Sequence, residues 1–403
     1  MKNGRKAFSL LLALLLLLSL PLIARAEGEE QPKKAQDLSK FVRFESCGHA
    51  DLEGKLFRLA LTCPETFLPY ERFNISWDPS VDAHWLCIQW EKMPEHVRLL
   101  QYDQNDALLS ETAVGEEYDT ILPLTADTVK VSFLTERRGM TIAHMGLYSD
   151  GVLPDPFYPW KKTSGHLDYL LISTHPDDDT LFMGGIIPTY GAEQGYVGTV
   201  AYVTTPSRLR VNEAVMGVWA MGSEYYPFFL DFCDLNNQRS EEARNKFPQE
   251  AVTLAVVRLL RQQRPLVVFT HDVNGEYGHW QHKIVSVAVQ EACKLSADES
   301  FDPASVQAYG VWEVKKCYIH LYPENPLVMD ISTPLASMGG KTALEVASAA
   351  FAKHRSQQNG RHLIPAVDDA LTMNRFGMAY GTVKAGEDVF DNIDPALLVA
   401  NLG

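Results

Sequence analysis

An apolar run that ends abruptly in charged residues is the feature that most constrains this chain. Residues 170–172 (Leu-Leu-Ile) have the composition of a strand buried on both faces, and residues 175–179 (His-Pro-Asp-Asp-Asp) follow almost at once. Open α/β sheets bind their ligands at the carboxyl ends of such strands. The run therefore predicts either an acidic site at a sheet edge or a turn whose aspartates cap a helix.

Beyond about residue 155 the chain alternates buried strands with helices. Strand-like runs occur at "LDYLLIST" (167–174), "YVGTVAYVT" (196–204) and "LVVFTH" (266–271). A helical stretch runs from about 209 to 221, and residues 248–263 carry apolar side chains at the i, i+3, i+4, i+7, i+8 spacing of an amphipathic helix. This alternation predicts a mostly parallel sheet with helices on both faces, within a domain over residues 165–403.

Residues 39–153 have a different pattern, in which short strand-like runs alternate with turns. "TVKVSFL" (128–134) shows the apolar and polar alternation of a half-buried antiparallel strand. We predict no convincing helix here, and strands at 73–77, 85–90, 97–102, 120–124, 128–135 and 141–148. The spacing predicts an antiparallel β-sandwich or jelly roll. A linker over 154–164, containing "PDPFYPWKK", joins it to the α/β domain.

The first 26 residues are predicted to be a cleaved signal peptide. Lys2, Arg5 and Lys6 precede an uncharged, leucine-rich stretch over 7–24, and Ala-Arg-Ala at 24–26 has the form of a cleavage site. An uncleaved membrane anchor is the alternative, since about 18 uncharged residues nearly span a bilayer. A polar linker is expected over 27–38. We therefore expect a secreted or extracytoplasmic protein with no stable membrane span after cleavage.

Charge and cysteine usage exclude some classes of function. The formal charge of -15 argues against nonspecific binding to nucleic acid, and no Lys/Arg-rich tract is present. The cysteines include no C-x-x-C pair, so they do not indicate a zinc–thiolate cluster, and disulfides and buried free thiols both remain open. They are Cys47, Cys63, Cys87, Cys233, Cys293 and Cys317.

A second polar cluster follows another predicted strand. "LVVFTH" leads into "DVNGEYGHWQHK", which places His279 and His282 three residues apart. In a parallel sheet both clusters emerge at one edge and can converge. Imidazoles and carboxylates without thiolates suit a catalytic zinc with two His ligands, one Asp ligand and a position left open for water. A second carboxylate can then serve as a base, which is the chemistry of an amide or ester hydrolase.

These residues carry a family resemblance. "THPDDDTLFMGG" with "GEYGHWQH" resembles the PIG-L/LmbE deacetylases, zinc enzymes with a Rossmann-like catalytic domain that remove acetyl groups from N-acetylglucosamine-type sugars. "KHRSQ" (353–357) and "CYIHLY" (317–322) also resemble downstream family features, with no role implied here. The resemblance implies the following roles: zinc ligands His175, Asp178 and His282; general base Asp177; acid or oxyanion stabiliser His279, with Tyr277 near the carbonyl; and substrate-binding Arg210, with its companion Glu213, and Asp234.

Some residues depart from the family pattern or leave alternatives open. Gln281 stands where many relatives have an aspartate that could raise the pKa of His279, and Asp272 or Glu276 could substitute for it. Asp179 stands where Glu is common. His271, at the strand tip, is an alternative metal ligand. The remaining histidines are interpreted as structural, and His354 is the candidate exception among them.

The sequence therefore predicts an exported, two-domain zinc hydrolase acting on an N-acetylated sugar or glycan. The N-terminal domain resembles galactose-binding-like jelly rolls, which implies either that it binds carbohydrate or that it shields the catalytic domain. Trp77, Trp85 and Trp90 could stack on sugar rings there, although core packing is the simpler interpretation. A zinc hydrolase of another amide or ester, and a noncatalytic glycan-binding protein, are the alternatives.

Overall fold

The computed structural model describes residues 32–45, 65–67, 72–115, 117–135, 140–205, 207–235, 241–358, 360 and 363–399. The predicted signal peptide, Cys47 and Cys63 lie outside the described residues. Cys87, Cys233, Cys293 and Cys317 are free thiols. None of the helices in the described part of the chain has the length and apolar composition that a membrane crossing requires.

Two antiparallel sheets make up the β-region, which we define as residues 32–153. Its strands are Arg43–Glu45 (β1), Glu65–Phe67 (β2), Arg72–Ser76 (β3), Trp85–Trp90 (β4), Val97–Tyr102 (β5), Leu108–Ala113 (β6), Asp119–Pro123 (β7), Lys130–Thr135 (β8) and Met140–Tyr148 (β9). One sheet has the order β1-β3-β8-β5-β6 and the other β2-β9-β4-β7. The prediction of an antiparallel β-rich N-terminal region is confirmed.

The core of the β-region explains which strands the sequence revealed. Apolar side chains from both sheets form one buried cluster, and Trp77 and Trp90 belong to it, as the core-packing interpretation expected. Strands β1, β2 and β6 were not predicted, and each lies at a sheet edge; in β6 no residue is fully buried, so the apolar alternation is lost. Residues 34–38, within the predicted linker, also pair with the chain near the end of β9.

A seven-stranded sheet organises the α/β region, which we define as residues 165–399. Its strands are Leu167–Ser173 (β10), Gly198–Thr204 (β11), Phe228–Phe232 (β12), Pro265–Thr270 (β13), Lys316–His320 (β14), Pro326–Val328 (β15) and Arg375–Gly381 (β18), and a short hairpin is formed by Pro334–Leu335 (β16) and Lys341–Thr342 (β17). The sheet order is β12-β11-β10-β13-β14-β18-β15. The first five strands are mutually parallel, β18 pairs antiparallel with β14, and β15 pairs antiparallel with β18.

Helices cover both faces of this sheet. They are Asp178–Phe182 (α1), Arg208–Ala220 (α2), Glu241–Asn245 (α3), Gln249–Gln263 (α4), Trp280–Leu295 (α5), Pro303–Tyr309 (α6) and Ala343–Phe351 (α7), with a π-helical turn at Ile187–Glu193. Successive side chains of β10 point to opposite cores: Leu170 packs with α4 and α5, and Leu171 packs with α2 and α7. Because both faces of the sheet are covered, the sequence of β10 contains a continuous apolar run.

The sheet order places the two polar clusters side by side. Strands β10 and β13 are adjacent and parallel, with Leu171 opposite Phe269. Their carboxyl ends therefore meet at one edge, and residues 174–179 and 271–282 leave the sheet together.

Candidate functional site

The turn after β10 is strained at Asp177. This residue has φ 125° and ψ -28°, a conformation that is costly for a residue with a side chain and persists where the surroundings impose it. Asp177 occupies the N-cap position of α1, but its side chain makes no capping hydrogen bond. It binds the Arg210 guanidinium instead, with 2.8 Å between Oδ1 and Nη2. Helix capping therefore does not explain this aspartate.

Three predicted ligands lie around one point. Nδ1 of His175 is 2.9 Å from Oδ2 of Asp178 and 3.2 Å from Nε2 of His282. The Asp178 oxygen is 3.1 Å from the same His282 nitrogen. Three ligand atoms of a tetrahedral zinc would lie roughly 3.3 Å apart, given metal–ligand bonds of about 2.0–2.1 Å. The observed triangle is close to that size.

The hydrogen bonds behind these atoms favour a cation between them. His282 Nδ1 donates to Glu276 at 2.7 Å; burial lowers the pKa of His282, but the Asp178 and Glu276 carboxylates on either side of its ring raise it overall to about 10. His175 Nε2 faces Gln281 Oε1 at 3.4 Å and Asp234 Oδ1 at 3.7 Å. Two imidazole nitrogens and a carboxylate oxygen thus converge, and a divalent metal would replace the proton that His282 carries between them. The donor set therefore fits a metal.

Glu276 is the centre of the buried hydrogen-bond network around this site. Its carboxylate accepts from Nδ1 of His271 at 2.9 Å, of His282 at 2.7 Å and of His320 at 2.8 Å, and from the backbone N–H of Asp272 at 3.1 Å. Burial opposes its ionisation, yet the surrounding histidines hold the pKa of Glu276 well below its usual range. A carboxylate behind a ligating imidazole fixes the tautomer and raises its basicity.

A glycine allows the chain to place Glu276 there. Gly275 has φ +66°, and a Cβ at this position would lie 2.3 Å from the carbonyl oxygen of His279. Only glycine fits this turn without moving the backbone that carries the second cluster.

His271, the alternative metal ligand raised from the sequence, lies with Asp178 and His282 in a group whose ligand atoms are within 4.8 Å of one another, but its ring nitrogens bond to protein groups in this structure. Its Nε2 accepts the backbone N–H of Thr174 at 2.8 Å, and its Nδ1 donates to Glu276. Both nitrogens are therefore occupied, although the ring stacks on His282 with centroids 4.2 Å apart.

The two neighbouring aspartates have opposite electrostatic environments. Burial opposes the ionisation of Asp178, but His282 and His175 hold its pKa well below the usual range. Burial raises the pKa of Asp177 well above its usual range, and Arg210 only partly lowers it again. Asp178 is suited to remain an anionic ligand, whereas Asp177 is suited to exchange a proton near neutral pH.

Arg210 is held by protein groups. Besides Asp177, its Nη2 binds the carbonyl oxygen of Pro176, while Nη1 lies 3.4 Å from both Glu213 Oε2 and Ser356 Oγ. Glu213 in turn accepts from the backbone N–H and the hydroxyl of Ser356, both at 2.6 Å. Arg210, predicted from the family pattern to bind substrate, therefore orients Asp177 in this structure, and "KHRSQ" supplies the serine that completes the network.

His279 and Tyr277 flank the triangle formed by the ligand atoms of His175, Asp178 and His282, which we call the metal triangle. The His279 ring lies 4.9 Å from His175 and 4.5 Å from His282, measured between centroids, and its buried Nδ1 has no hydrogen-bond partner among the described residues. Burial and the two neighbouring imidazoles lower the pKa of His279 to about 3. Tyr277, with φ 44°, is 52% exposed and stands 5.7 Å from the His282 ring.

Gln281, which stands where many relatives have an aspartate, places its Oε1 3.4 Å from His175 Nε2. Its Nε2 donates to the carbonyl oxygen of Cys233 at 3.1 Å, and its Oε1 accepts the backbone N–H of Leu235 at 3.3 Å. This amide holds the 233–235 segment, which carries Asp234, beside His175. The departure from the family pattern therefore bears on the metal ligand.

His354 is buried and lies outside the metal triangle. Neither ring nitrogen has a hydrogen-bond partner in the described part of the chain, and burial together with Arg210 lowers its pKa to about 3. A Cβ on Gly217 would lie 2.8 Å from its Nε2, so helix α2 has a glycine where the ring packs. The structure gives His354 a packing role.

Comparisons with known proteins agree with the site. Residues 170–293 match the family model described as PIG-L, GlcNAc-PI de-N-acetylase. The chain is 27% identical over 190 residues to 1D-myo-inositol 2-acetamido-2-deoxy-alpha-D-glucopyranoside deacetylase 1 of Catenulispora acidiphila, a match that covers 40% of this chain and 58% of that protein. It is 31% identical over 177 residues to the corresponding deacetylase of Rhodococcus opacus, covering 37% of this chain and 59% of that protein.

The chain thus spans less than three fifths of the length of these two curated relatives. Among solved structures, the N,N'-diacetylchitobiose deacetylase from Pyrococcus horikoshii matches 48% of this chain and 71% of its own, with 20% identity and a TM-score of 0.37.

Proposed function

We propose that this chain, whose residues 170–293 match the PIG-L family, is a zinc-dependent hydrolase that removes N-acetyl groups from amino sugars outside the cytoplasm. The convergence of His175, Asp178 and His282 beside the strained, proton-exchanging Asp177 is the observation that carries this proposal. Zinc is proposed because a site of two imidazoles and one carboxylate, without thiolates, is typical of catalytic zinc. The extracytoplasmic location rests on the predicted signal peptide, and the sugar class rests on the relatives.

The protein residues divide the chemistry between them. Zinc held by His175, Asp178 and His282 would lower the pKa of water to about 7 and polarise the acetamide carbonyl. Asp177, oriented by Arg210, takes a proton from the attacking water. The rings of His279 and Tyr277 are 6.1 Å apart between centroids, and their N–H and O–H groups would donate to the oxyanion that forms on the carbonyl oxygen.

The leaving amine needs a proton before the C–N bond breaks. A pKa lowered to about 3 leaves His279 neutral at neutral pH, so it serves as a hydrogen-bond donor and not as the acid. Asp177 has just accepted the proton of water, and its raised pKa allows it to hold that proton and then pass it to nitrogen. The products are acetate and a free amino sugar.

The test combines metal content with acetate release. Protein from Glu27 onward is loaded with zinc, analysed for bound metal and incubated with N-acetylated sugars and with a panel of other amides and esters. We expect about one zinc per chain and acetate release from an acetylated sugar. Zinc with turnover only on another amide or ester would replace the proposed substrate class, and zinc without any turnover would indicate a binding protein. No bound metal in zinc-replete buffer would contradict the metal site.

Replacing Arg210 should shift the pH dependence of the reaction. Asp177 acts as a base only when it is deprotonated, so kcat/KM falls as the pH falls through its pKa. Arg210 lowers that pKa, and its removal should therefore move the acidic limb of the profile to higher pH. The measurement is kcat/KM against pH for Arg210→Gln.

The control for this profile is Arg258→Gln, because Arg258 makes an exposed ion pair with Asp302. Its acidic limb should coincide with that of the wild type. An Arg210→Gln profile that is lower at every pH but unshifted would mean that Arg210 does not tune Asp177.

A further inference from the structure

Two adjacent residues of the β-region reach into the α/β region. The Tyr118 hydroxyl donates to Asp231 Oδ1 at 2.7 Å. Asp119, the first residue of β7, accepts from the Arg208 guanidinium and, at 2.7 Å, from the Tyr226 hydroxyl. The Arg208 guanidinium also donates to the Tyr118 carbonyl oxygen at 2.9 Å. The two regions are therefore joined by directed hydrogen bonds at one place.

These contacts are buried and charged, which makes their geometry demanding. The side chains of Asp119 and Arg208 are 1% and 10% exposed. Gln89 Nε2 adds bonds to Asp119 at 3.1 Å and to Asn212 on α2 at 3.0 Å. Removing one member of such a pair leaves the other charge buried without its partner, which is strongly destabilising. Conformations that separate the pair are therefore disfavoured, and the start of α2 is held in one position.

Helix α2 connects this contact to Asp177, the proposed base. Arg208 begins helix α2, and Arg210, two residues later, holds Asp177 through the 2.8 Å bond described above. Fixing the first turn of α2 against the β-region therefore fixes the backbone that carries Arg210.

A second connection leads from this contact to a metal ligand. Asp231 has φ 57° and stands three residues before Asp234, whose Oδ1 is 3.7 Å from His175 Nε2. Gln281 secures the same segment through Cys233 and Leu235. Tyr118 thus fixes one end of the segment, and Gln281 fixes the end beside the metal triangle.

We infer that Tyr118 and Asp119 are positioning residues for the metal site, so that the β-region completes the catalytic geometry instead of acting as a separable module. Neither residue touches the reacting atoms. They act through Arg208 and Asp231 on the two groups that orient Asp177 and His175. The kinetic consequence rests on the proposed deacetylase function, whereas the structural consequence does not.

Kinetics of the zinc-loaded, full-length protein test the inference. Tyr118→Phe should lower kcat on a small N-acetylated sugar by about 10-fold, and Asp119→Asn by about 10- to 100-fold. Small misplacements of catalytic groups have effects of this size. KM should change little, since neither residue lies at the substrate. Glu111→Gln, in an exposed pair with Arg98 on the same β-region, is the matched control and should leave kcat unchanged.

A double-mutant cycle separates positioning from general destabilisation. If Tyr118 acts through Asp231, then Asp231→Asn should have little further effect on kcat in the Tyr118→Phe background, giving clear non-additivity. Full additivity would overturn this route. Tyr118→Phe removes only one hydroxyl and keeps the inference testable if Asp119→Asn does not fold.

Amide hydrogen exchange gives a readout that does not depend on turnover. Both variants should lose protection at residues 208–214 and 229–235, while Glu111→Gln should not. If the wild-type protein has no deacetylase activity, the proposed function is rejected. The hydrogen-exchange result then decides by itself whether Tyr118 and Asp119 are positioning residues. Unchanged exchange together with unchanged kcat would overturn it.

Discussion

Asp177→Asn should lower kcat by about 10²–10⁴-fold without loss of bound zinc, because the substitution removes the proposed base but none of the three ligands. Asparagine has nearly the same shape and can still accept a hydrogen bond from Arg210, so the turn after β10 should keep its conformation. The reaction loses the group that takes the proton from water and later gives it to the amine. The measurement is kcat with an N-acetylated sugar, with zinc content determined on the same preparation.

The matched control for this result is Asp298→Asn, which makes the same change in an exposed turn where Asp298 binds Ser300. Its kcat should equal that of the wild type. An Asp177→Asn variant that retains most of its kcat would show that another group transfers the proton. A variant that loses zinc as well would place Asp177 among the metal ligands.

Glu276→Gln should weaken zinc binding by about 10–100-fold, the range seen when the carboxylate behind a ligating histidine is removed. A glutamine offers one acceptor oxygen and an NH₂ donor, whereas three histidine Nδ1 atoms and one backbone N–H now converge on the carboxylate. The amide cannot satisfy all of them, so His282 loses the bond that fixes its metal-binding tautomer. Competition with a chromophoric chelator measures the affinity independently of catalysis.

The stability of the variant must also be measured, because removing a buried charge from its partners can lower the free energy of unfolding by about 3–5 kcal/mol. Circular dichroism and Tm of the metal-free protein show whether the variant is folded, and Glu276→Asp, which keeps the charge, provides a milder second variant. Glu299→Gln, at an exposed position, is the control. A folded Glu276→Gln protein with wild-type zinc affinity would mean that His282 is oriented without the carboxylate.

Several parts of this protein followed from local sequence patterns. The continuous apolar run of β10 and the matching run of β13 predicted two strands of a parallel sheet, and the polar residues after them predicted where the strands end. Their convergence then follows from sheet geometry, because parallel neighbours end at the same edge. The antiparallel β-region was predicted from alternation, except for strands β1, β2 and β6, each of which lies at a sheet edge.

The sequence carried no comparable signal for the hydrogen bonds within the site. Glu276 was noted in the sequence only as a possible replacement for a missing aspartate, and nothing local indicated that it would bind His320, 44 residues away. His271 was a candidate ligand in the sequence, and nothing local indicated that its Nε2 would accept the backbone N–H of Thr174, 97 residues away. Arg210 matched a substrate-binding pattern, yet its partner is Asp177, 33 residues away.

The sequence by itself determined the elements, the strand ends and the types of residue available for chemistry, because periodicity and composition act over a few neighbouring positions. Tertiary structure alone decided which histidines bond to Glu276, which aspartate pairs with Arg210 and which residues of the β-region bond to the α/β region. Each of these depends on directed hydrogen bonds and on burial, and both are set by packing between distant segments. The bond from Tyr118 to Asp231, across 113 residues of chain, is the clearest example.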